Sequence, residues 1–255
     1  MNERPDTEGI DVKVVDPDAP LPPEAGEAPA DKPVSTFRLV ATLAVAGALA
    51  GLLIVLVNLH TKPIIDEYRA EQLRLAVYEV LPGVANYRTL YRVDDVLVSE
   101  VPAGAKESDF RQAYVGYDED GELVGAAVSR GESGFADVVL VIFGFEPDTG
   151  ILLGKKVLES KETPGLGTKI ETDPDFLKNF ERLDVTLTGD LSAVANPIEF
   201  VKPGQKEQAW QVDGITGATI SSNAIANILG ASTAYWIPRI RRGLEDFRAT
   251  GGEAI

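Results

Sequence analysis

One uncharged segment near the N-terminus limits the folds open to this chain more than any other feature. It runs from Leu39 to Leu59, LVATLAVAGALAGLLIVLVNL, and at about 21 residues it has the length that one helix needs to cross a bilayer core of about 30 Å. A buried helix of a soluble protein is the alternative, although such a helix usually keeps a polar stripe. A cleaved signal peptide is disfavoured, because the run is longer than a signal core and no small-x-small site follows it before His60. We therefore predict an uncleaved transmembrane helix over 38–60.

The segments that flank the predicted anchor differ in character but not in basic charge. Residues 1–37 are acidic and Pro-rich, which predicts a disordered tail. Lys32 and Arg38 precede the anchor, and Lys62 and Arg69 follow it. Because the basic residues are balanced, the positive-inside rule does not decide the orientation of the helix.

Composition excludes several classes of function. The chain has 255 residues, a formal net charge of −16 and no cysteine. This acidity argues against broad nucleic-acid binding and against polybasic docking on anionic lipid, since both need a cationic surface. The missing cysteines exclude disulfides, thiolate nucleophiles, and Cys-ligated zinc or iron–sulfur clusters. With His60 as the single histidine, neither a Ser-His-Asp triad nor a standard metal centre is expected.

The chain after the anchor has mainly the pattern of β-hairpins. Turn residues at 118–121 and 146–150 separate apolar strands, and short strands are predicted at 183–187 and 208–212. Helical periodicity follows the anchor directly and recurs at 176–180 and from Ile220 to about Ile237. The positions predicted on the buried faces are Ile65, Tyr68, Leu73, Val77 and Val80 on the first helix, and Ile220, Ala224, Ile225, Ile228, Leu229 and Tyr235 on the last. We predict an α+β domain over 61–240, with a mainly antiparallel sheet and flanking helices, and a polar C-terminal tail at 241–255.

The stretch DGITGATISSNAI, from Asp213 to Ile225, places small residues and hydroxyl groups directly before the last predicted helix. Thr219 falls at the start of that helix, where free backbone N–H groups and the helix dipole attract anions. Gly214 and Gly217 allow the backbone to approach a ligand closely. The hydroxyl groups able to donate to phosphate oxygens are those of Thr216, Ser221 and Ser222. The stretch suits a bound phosphate, and ordinary N-capping by Thr or Ser is the alternative.

Two other segments have the composition of ligand-binding loops. In KETPGLGTKIE, Lys161 to Glu171, the pair Pro164-Gly165 favours a tight turn, and Leu166 would project from a loop between two glycines. Such a loop can lay one apolar side chain on a flat ligand, or it can be a simple surface turn. In RGESGFADVVLV, Arg130 to Val141, Gly131 and Gly134 bracket a predicted turn before an apolar strand.

Together these segments resemble a known pattern. DGITGAT matches Asp-x-x-(Ser/Thr)-Gly-Ala-Thr, the flavinylation motif of the FMN-binding domain family, and KETPGLGTKIE is similar to that family's Glu-Thr-Pro-Gly-Leu-Gly loop. The domain occurs in the G subunit of the Rnf ion-translocating electron-transport complex and in the C subunit of the sodium-translocating NADH:quinone reductase. The resemblance covers roughly residues 36–240, with the motifs in the family's order. The sodium pump's usual Gly-Leu-Trp element is absent from GESGFADVVLV, which favours the Rnf protein.

The resemblance implies a covalent cofactor. In this family a separate flavin transferase takes FMN from FAD and links its phosphate to the last threonine of the motif, which here is Thr219. The chain would then be a covalent flavoprotein and a phosphoprotein, and Thr219 would need no internal base. Asp213 would belong to the pattern that the transferase recognises. The other cofactor-binding residues implied are Thr216, Gly217, Ala218, Ser221, Ser222, Glu162, Thr163, Gly165, Leu166, Gly167, Gly134 and Phe135.

The same resemblance implies a place in a larger complex. The chain would be the electron-relay subunit of a ferredoxin:NAD oxidoreductase in a bacterial or archaeal cytoplasmic membrane, without complete catalytic activity alone. Its partners would be other membrane subunits, the flavin transferase and membrane lipid, and no nucleic acid. The N-terminus would be cytoplasmic and the C-terminal domain periplasmic or otherwise extracytoplasmic. The C subunit of the sodium pump, an accessory flavoprotein outside any pump, and a non-redox envelope protein with Thr219 as a helix cap remain as alternatives.

Overall fold

The computed structural model describes residues 35–250, and the chain divides into two compact units between His60 and Thr61. In the first unit, the described residues from Thr36 onward belong to the helix α1 (Thr36–Val80), which continues into the second unit. The apolar side chains there are exposed, and a stretch of mean hydropathy 2.7 makes α1 long and apolar enough to cross a membrane by length and composition. The predicted disordered tail lies outside the described residues, except for residues 35–37 at its end.

The bounds of α1 differ from those predicted from the sequence. The predicted anchor and the predicted helix after it belong to one helix that contains Pro63, so the Thr-Lys-Pro sequence does not separate two elements. For the helix predicted directly after the anchor, the predicted buried face is wrong at Ile65 and Tyr68, which are 46% and 64% exposed, and right at Val77 and Val80. The physical reason is that only the last turns of α1 pack against the sheet.

Six antiparallel strands form the main sheet of the second unit, in the spatial order β2-β1-β3-β4-β5-β6. The strands are β1 (Asn86–Val93), β2 (Val96–Val98), β3 (Gln112–Tyr117), β4 (Leu123–Ser133), β5 (Val138–Glu146) and β6 (Ile151–Glu159). The predicted hairpins at 118–121 and 146–150 are confirmed as the connections β3–β4 and β5–β6. Between β1 and β2, Asp94 and Asp95 have φ of 49° and 76°, the mirror-image turn that matches strand twist.

Alternate side chains of the sheet enter two separate cores. Ala127 and Ile142 face one side, where they pack with Val77, Val80 and other residues near the end of α1. Their neighbours in sequence on β4 and β5 face the other side and pack with the long helix α4 (Thr219–Arg242). Fully burying a large apolar side chain contributes about 1.5–3 kcal/mol, so the two cores hold the sheet between α1 and α4.

The remaining elements lie between β2 and β3, between β6 and α4, and after α4. They are α2 (Lys169–Thr172), α3 (Pro174–Leu177), 3₁₀ turns at Glu107–Asp109 and Lys178–Phe180, the parallel pair β7 (Glu199–Val201) and β8 (Gln211–Asp213), and α5 (Leu244–Thr250). The strand predicted at 183–187 is wrong, since its residues make only the isolated bridges Ile151–Asp184 and Leu187–Val194. The strand predicted at 208–212 is shortened to β8, and its partner β7 was not predicted.

The C-terminal part of the second unit is more ordered than predicted. α4 extends five residues beyond Ile237, and Ile220, predicted to be buried, is 54% exposed. The predicted polar tail at 241–255 includes the end of α4 and α5. Leu244 is fully buried, and the Tyr117 hydroxyl donates to the Phe247 carbonyl at 3.1 Å. α5 is therefore part of the fold, and residues 251–255 lie outside the described part of the chain.

Candidate functional site

Three segments that are far apart in sequence line one cavity of about 310 Å³. They are the turn after β4, the KETPGLG loop and the first turn of α4. The lining residues are Phe135, Glu162, Thr163, Leu166, Gly167, Gly217, Ala218, Thr219, Ile220 and Ser221. The structure therefore brings together nine of the residues that the sequence singled out, and adds Ile220.

The buried carboxylate of Glu162 joins the three segments. The side chain is 4% exposed, and its Oε1 accepts hydrogen bonds from the backbone N–H groups of Phe135 at 2.8 Å and Ala136 at 3.1 Å. Its Oε2 accepts from the Ser221 hydroxyl at 2.7 Å. The three hydrogen bonds connect the loop that carries Glu162 to the turn after β4 and to the first turn of α4. Glu162 is thus the anchor of the site, whereas the sequence resemblance gave it only as a cofactor contact.

Two glycines make room for this carboxylate. A Cβ atom on Gly134 would lie 2.3 Å from Glu162 Oε1, and one on Gly167 would lie 2.4 Å from Oε2. Neither distance is compatible with a side chain, so both positions require glycine while Glu162 stays in place. Gly131, which was predicted to bracket the same turn, instead pairs with Leu140 inside the β4–β5 ladder.

An exposed ion pair also ties the turn after β4 to the loop. Lys161 Nζ donates to Asp137 Oδ2 at 2.6 Å. This hydrogen bond is the main reason that the pKa of the Asp137 carboxyl lies below its usual value. Within the turn, the Gly134 N–H donates to the Asp137 carbonyl at 2.9 Å. The turn that carries Phe135 is therefore closed by its own hydrogen bond and held on the loop through Asp137 and Glu162.

Thr219 is the first residue of α4 and not its cap. The N-cap is Ala218, and no side chain makes a capping hydrogen bond there. The alternative in which Thr219 serves only as a helix cap does not agree with this geometry. The Thr219 side chain is exposed on the cavity wall, beside backbone N–H groups of a first turn that lack intrahelical acceptors. The residue is exposed, and the helix dipole favours a negative group next to it.

The two serines of the motif have partners inside the fold. Ser221 donates to Glu162. The Ser222 side chain is fully buried; its hydroxyl donates to the Ala218 carbonyl at 2.9 Å and accepts from the Ile215 N–H at 3.3 Å. In this geometry both hydroxyls donate within the fold, and their contact with phosphate stays a prediction. Their hydrogen bonds fix the turn that precedes α4.

Asp213 and Thr216 lie away from the cavity. The Asp213 carboxylate accepts from the backbone N–H groups of Gly204 at 2.9 Å and Gln205 at 3.3 Å. Its backbone N–H donates to Asn179 Oδ1 at 3.0 Å. Thr216 is exposed and lines a different, smaller cavity beside α3. Asp213 thus has a structural role in holding the motif, and Thr216 is not positioned with the other site residues.

Exposed apolar side chains surround the mouth of the cavity. Phe135, Leu166 and Ile220 are 68%, 50% and 54% exposed. Gly165 and Gly217 have φ of 75° and 83°, a conformation that favours glycine. A Cβ on Gly217 would lie 3.8 Å from Leu166 Cδ2, so the loop approaches the threonine motif closely. Ile220 was missed as a site residue because its helical position predicted burial.

These features fit a flat apolar group that carries a phosphate. The cavity volume lies at the lower end of the range of about 300–1,000 Å³ typical of small-molecule sites. The exposed side chains offer apolar surface to a ring, and the start of α4 offers N–H groups to a phosphate. FMN, which the sequence resemblance implies, has both a flat ring system and a phosphate.

Comparison with known proteins agrees with the geometry. The model of the family described as FMN-binding domain matches residues 134–232. The chain is 31% identical over 198 residues to the G subunit of the ion-translocating oxidoreductase complex of Methanosarcina acetivorans, covering 78% of this chain and 93% of that protein. It is 30% identical over 194 residues to the G subunit of the Na(+)-translocating ferredoxin:NAD(+) oxidoreductase complex of Acetobacterium woodii, covering 75% and 86%. The crystal structure of Shewanella oneidensis NqrC has the same fold, with a TM-score of 0.52 at 17% identity over 72% of this chain and 98% of that chain.

Proposed function

The chain belongs to the family of G subunits of ion-translocating oxidoreductase complexes, and on that premise we propose that it is the membrane-anchored, FMN-carrying electron-relay subunit of such a complex. The observation that carries this proposal is the convergence of three separate segments on one cavity at Thr219. We propose that the complex is of the Rnf type and transfers electrons between ferredoxin and NAD. The other subunits of the complex are then its partners in the membrane.

We propose that FMN is attached through a phosphoester to Thr219 Oγ1. A flavin transferase would break the pyrophosphate bond of FAD, so that the FMN phosphorus bonds to Thr219 Oγ1, AMP leaves and the hydroxyl proton is lost to the solvent. The transferase supplies the catalysis, so the residues around Thr219 need only be small enough to admit it. Asp213 holds the motif in place and would contribute to what the transferase recognises. Phe135, Leu166 and Ile220 would offer apolar surface to the ring. Bound FMN would supply the reversible uptake and release of electrons.

The proposed domain organisation follows the charge and hydropathy of the chain. It comprises an acidic tail at 1–37, a membrane helix at 38–60 and the FMN-binding domain from 61 to 240, which we extend to include α5. We place the N-terminus in the cytoplasm and the domain outside it, in a bacterial or archaeal cytoplasmic membrane. The flavin would then lie on the outer side of the membrane.

We expect this orientation to be visible by limited proteolysis. Protease added to intact spheroplasts should digest the domain after His60, because it would be exposed outside the membrane, and should leave the acidic tail attached to the anchor. Immunoblots against tags at the two termini report which part is cut. A matched sample of lysed spheroplasts, in which both parts are accessible, serves as the control. Loss of the N-terminal tag alone from intact cells would reverse the orientation and contradict the proposed position of the flavin.

The electron-relay function is tested by a spectroelectrochemical titration of the purified full chain. We expect one flavin that is reduced and reoxidised reversibly. Leu166→Ala should keep the mass of the bound FMN and raise its midpoint potential, because water would solvate the more anionic reduced form better. An effect of about 1 kcal/mol corresponds to about 20 mV for a two-electron couple. The absorption bands of the flavin in Leu166→Ala should shift together with the midpoint potential.

Leu191→Ala is the matched control for this titration. Leu191 is similarly exposed, at 43%, but does not line the cavity, so its removal should leave the potential and the spectrum unchanged. Equal midpoint potentials and flavin spectra in the unsubstituted chain, Leu166→Ala and Leu191→Ala would mean that the KETPGLG loop is only a surface turn. A purified chain whose flavin cannot be reduced reversibly would contradict the electron-relay function itself.

A further inference from the structure

A second cavity, of about 490 Å³, lies on the α4 side of the main sheet. Three segments form it: residues 108–112 before β3, residues 129–131 of β4, and residues 232–236 in the second half of α4. Among the described residues it shares no lining residue with the cavity at Thr219. Along α4, Ser221 and Ser232 are separated by about 16 Å at the helical rise per residue. The two cavities are therefore distinct sites.

Three residues that line this second cavity carry buried hydrogen-bond donors without partners. Arg130 Nε, Ser232 Oγ and the Tyr235 hydroxyl have no hydrogen-bond partner in the part of the chain that the structure describes. Ser232 is only 2% exposed. Buried polar groups are nearly always paired, because an unpaired one loses its hydrogen bonds to water without replacement. Three such donors on the residues of one cavity point to an acceptor outside the described part of the chain.

The charged side chains that line the cavity are positive, so they favour the same kind of ligand as the hydrogen-bond donors do. Arg111 lies with its guanidinium carbon 4.4 Å from the Tyr235 ring centroid, and no carboxylate of the described residues pairs with it. Arg130 approaches Glu132 at 3.6 Å. Among the described lining residues there are two arginines and no acidic residue. In a chain with a net charge of −16, a cavity lined by two guanidinium groups, of which only that of Arg130 has a carboxylate neighbour, selects for an anion.

We propose that this cavity binds a phosphate group. The donors of Arg111, Arg130, Ser232 and Tyr235 come from three segments, and a tetrahedral phosphate presents acceptor oxygens in several directions, whereas a carboxylate presents two in one plane. Phe110 and Trp236, which also line the cavity, offer apolar surface to the organic group of a phosphate ester. The phosphate belongs either to a soluble ester or to a lipid headgroup, and glycerol phosphate is the chemistry that both share.

Trp236 provides a direct readout of this binding. The chain has two tryptophans, so Trp210→Phe in the full-length protein leaves Trp236 as the only one. We expect glycerol 3-phosphate, added to this protein in detergent, to change Trp236 emission saturably and at least tenfold more tightly than acetate. Sodium chloride at the same ionic strength should have no saturable effect. Calorimetry on the protein with both tryptophans checks that the Trp210 substitution has not altered the site.

Variants of the lining residues separate a specific site from general charge attraction. Arg111→Gln and Arg130→Gln should each weaken glycerol phosphate binding at least tenfold, and Arg182→Gln, an exposed arginine outside the cavity, should not change it. Ser232→Ala removes a buried unpartnered hydroxyl, so it should weaken binding without lowering the melting temperature. This variant keeps the test informative even if an arginine variant fails to fold.

Nanodiscs distinguish the two sources of phosphate. If a lipid headgroup occupies the cavity, phosphatidylglycerol discs without added ester should already shift Trp236 emission relative to phosphatidylcholine discs and should weaken glycerol phosphate binding. If the ligand is soluble, glycerol phosphate should bind equally in both discs. The proposal is overturned if neither glycerol phosphate nor phosphatidylglycerol changes Trp236 emission, or if both arginine variants bind like the Arg182 control. None of these measurements requires bound flavin, so the result is independent of the proposed electron-relay function.

Discussion

Thr219→Ala is expected to abolish covalent attachment of FMN completely when the chain is produced and exported together with a flavin transferase. The reason is that the substitution removes the only atom through which the phosphoester would form. The fold should be unaffected, because Thr219 is an exposed first residue of α4 that makes no capping hydrogen bond and alanine is favourable in helices. Intact-mass spectrometry and flavin fluorescence in a denaturing gel measure the attachment, and melting temperature checks the fold.

Two matched variants define the specificity of this result. Thr219→Ser keeps a hydroxyl at the same position and should retain flavin. Thr216→Ala removes a hydroxyl three residues away, on a different cavity, and should weaken rather than abolish attachment. A fluorescent band that persists in denatured Thr219→Ala would show that the flavin is attached elsewhere and would remove Thr219 from the proposed site.

Glu162→Ala is expected to destabilise the second unit strongly. The substitution would leave the backbone N–H groups of Phe135 and Ala136 and the Ser221 hydroxyl without their acceptor. Each buried donor left unpaired costs about 1–3 kcal/mol; with water entering the space, we expect a total loss of about 3 kcal/mol. In a domain of this size such a loss lowers the melting temperature by about 6–12 °C. Thermal unfolding of the full chain in detergent measures the effect.

Glu159→Ala is the matched control for Glu162→Ala, because it also removes one glutamate carboxylate. Glu159 forms an exposed ion pair with Arg69 at 3.2 Å, and exposed pairs contribute about 0–1 kcal/mol. Glu162→Gln should recover most of the stability, because its amide oxygen can accept both N–H groups and its NH₂ can donate to the Ser221 oxygen. If Glu162→Ala unfolds at the same temperature as Glu159→Ala, the carboxylate does not hold the three segments together.

Local patterns in the sequence were sufficient for much of the fold. The apolar run from Leu39 predicted a long helix, because its length and hydropathy are properties of one segment. The hairpins at 118–121 and 146–150 were predicted correctly because turn residues and alternation act over a few neighbouring positions. The FMN-binding domain was identified through two motifs, and the family comparison bears out that identification.

Burial was predicted less well wherever it depended on what a helix packs against. Ile65, Tyr68 and Ile220 fit the apolar face of a helix in sequence, yet all three are exposed. Periodicity gives the face that is apolar, but not how far along that face the sheet extends. For Ile220 the error concealed a residue of the site.

The sequence alone thus predicted the apolar helix, the two hairpins and, through the family resemblance, the threonine that we propose carries the flavin. Only the tertiary structure decided which side chains meet at the site, and it gave Glu162 a role as anchor that no local pattern indicates. It also placed the Ser221 hydroxyl on the Glu162 carboxylate. The physical reason is that this hydrogen bond joins residues 59 positions apart, and a hydrogen bond at that separation depends on how the sheet and α4 pack rather than on neighbouring residues in the chain.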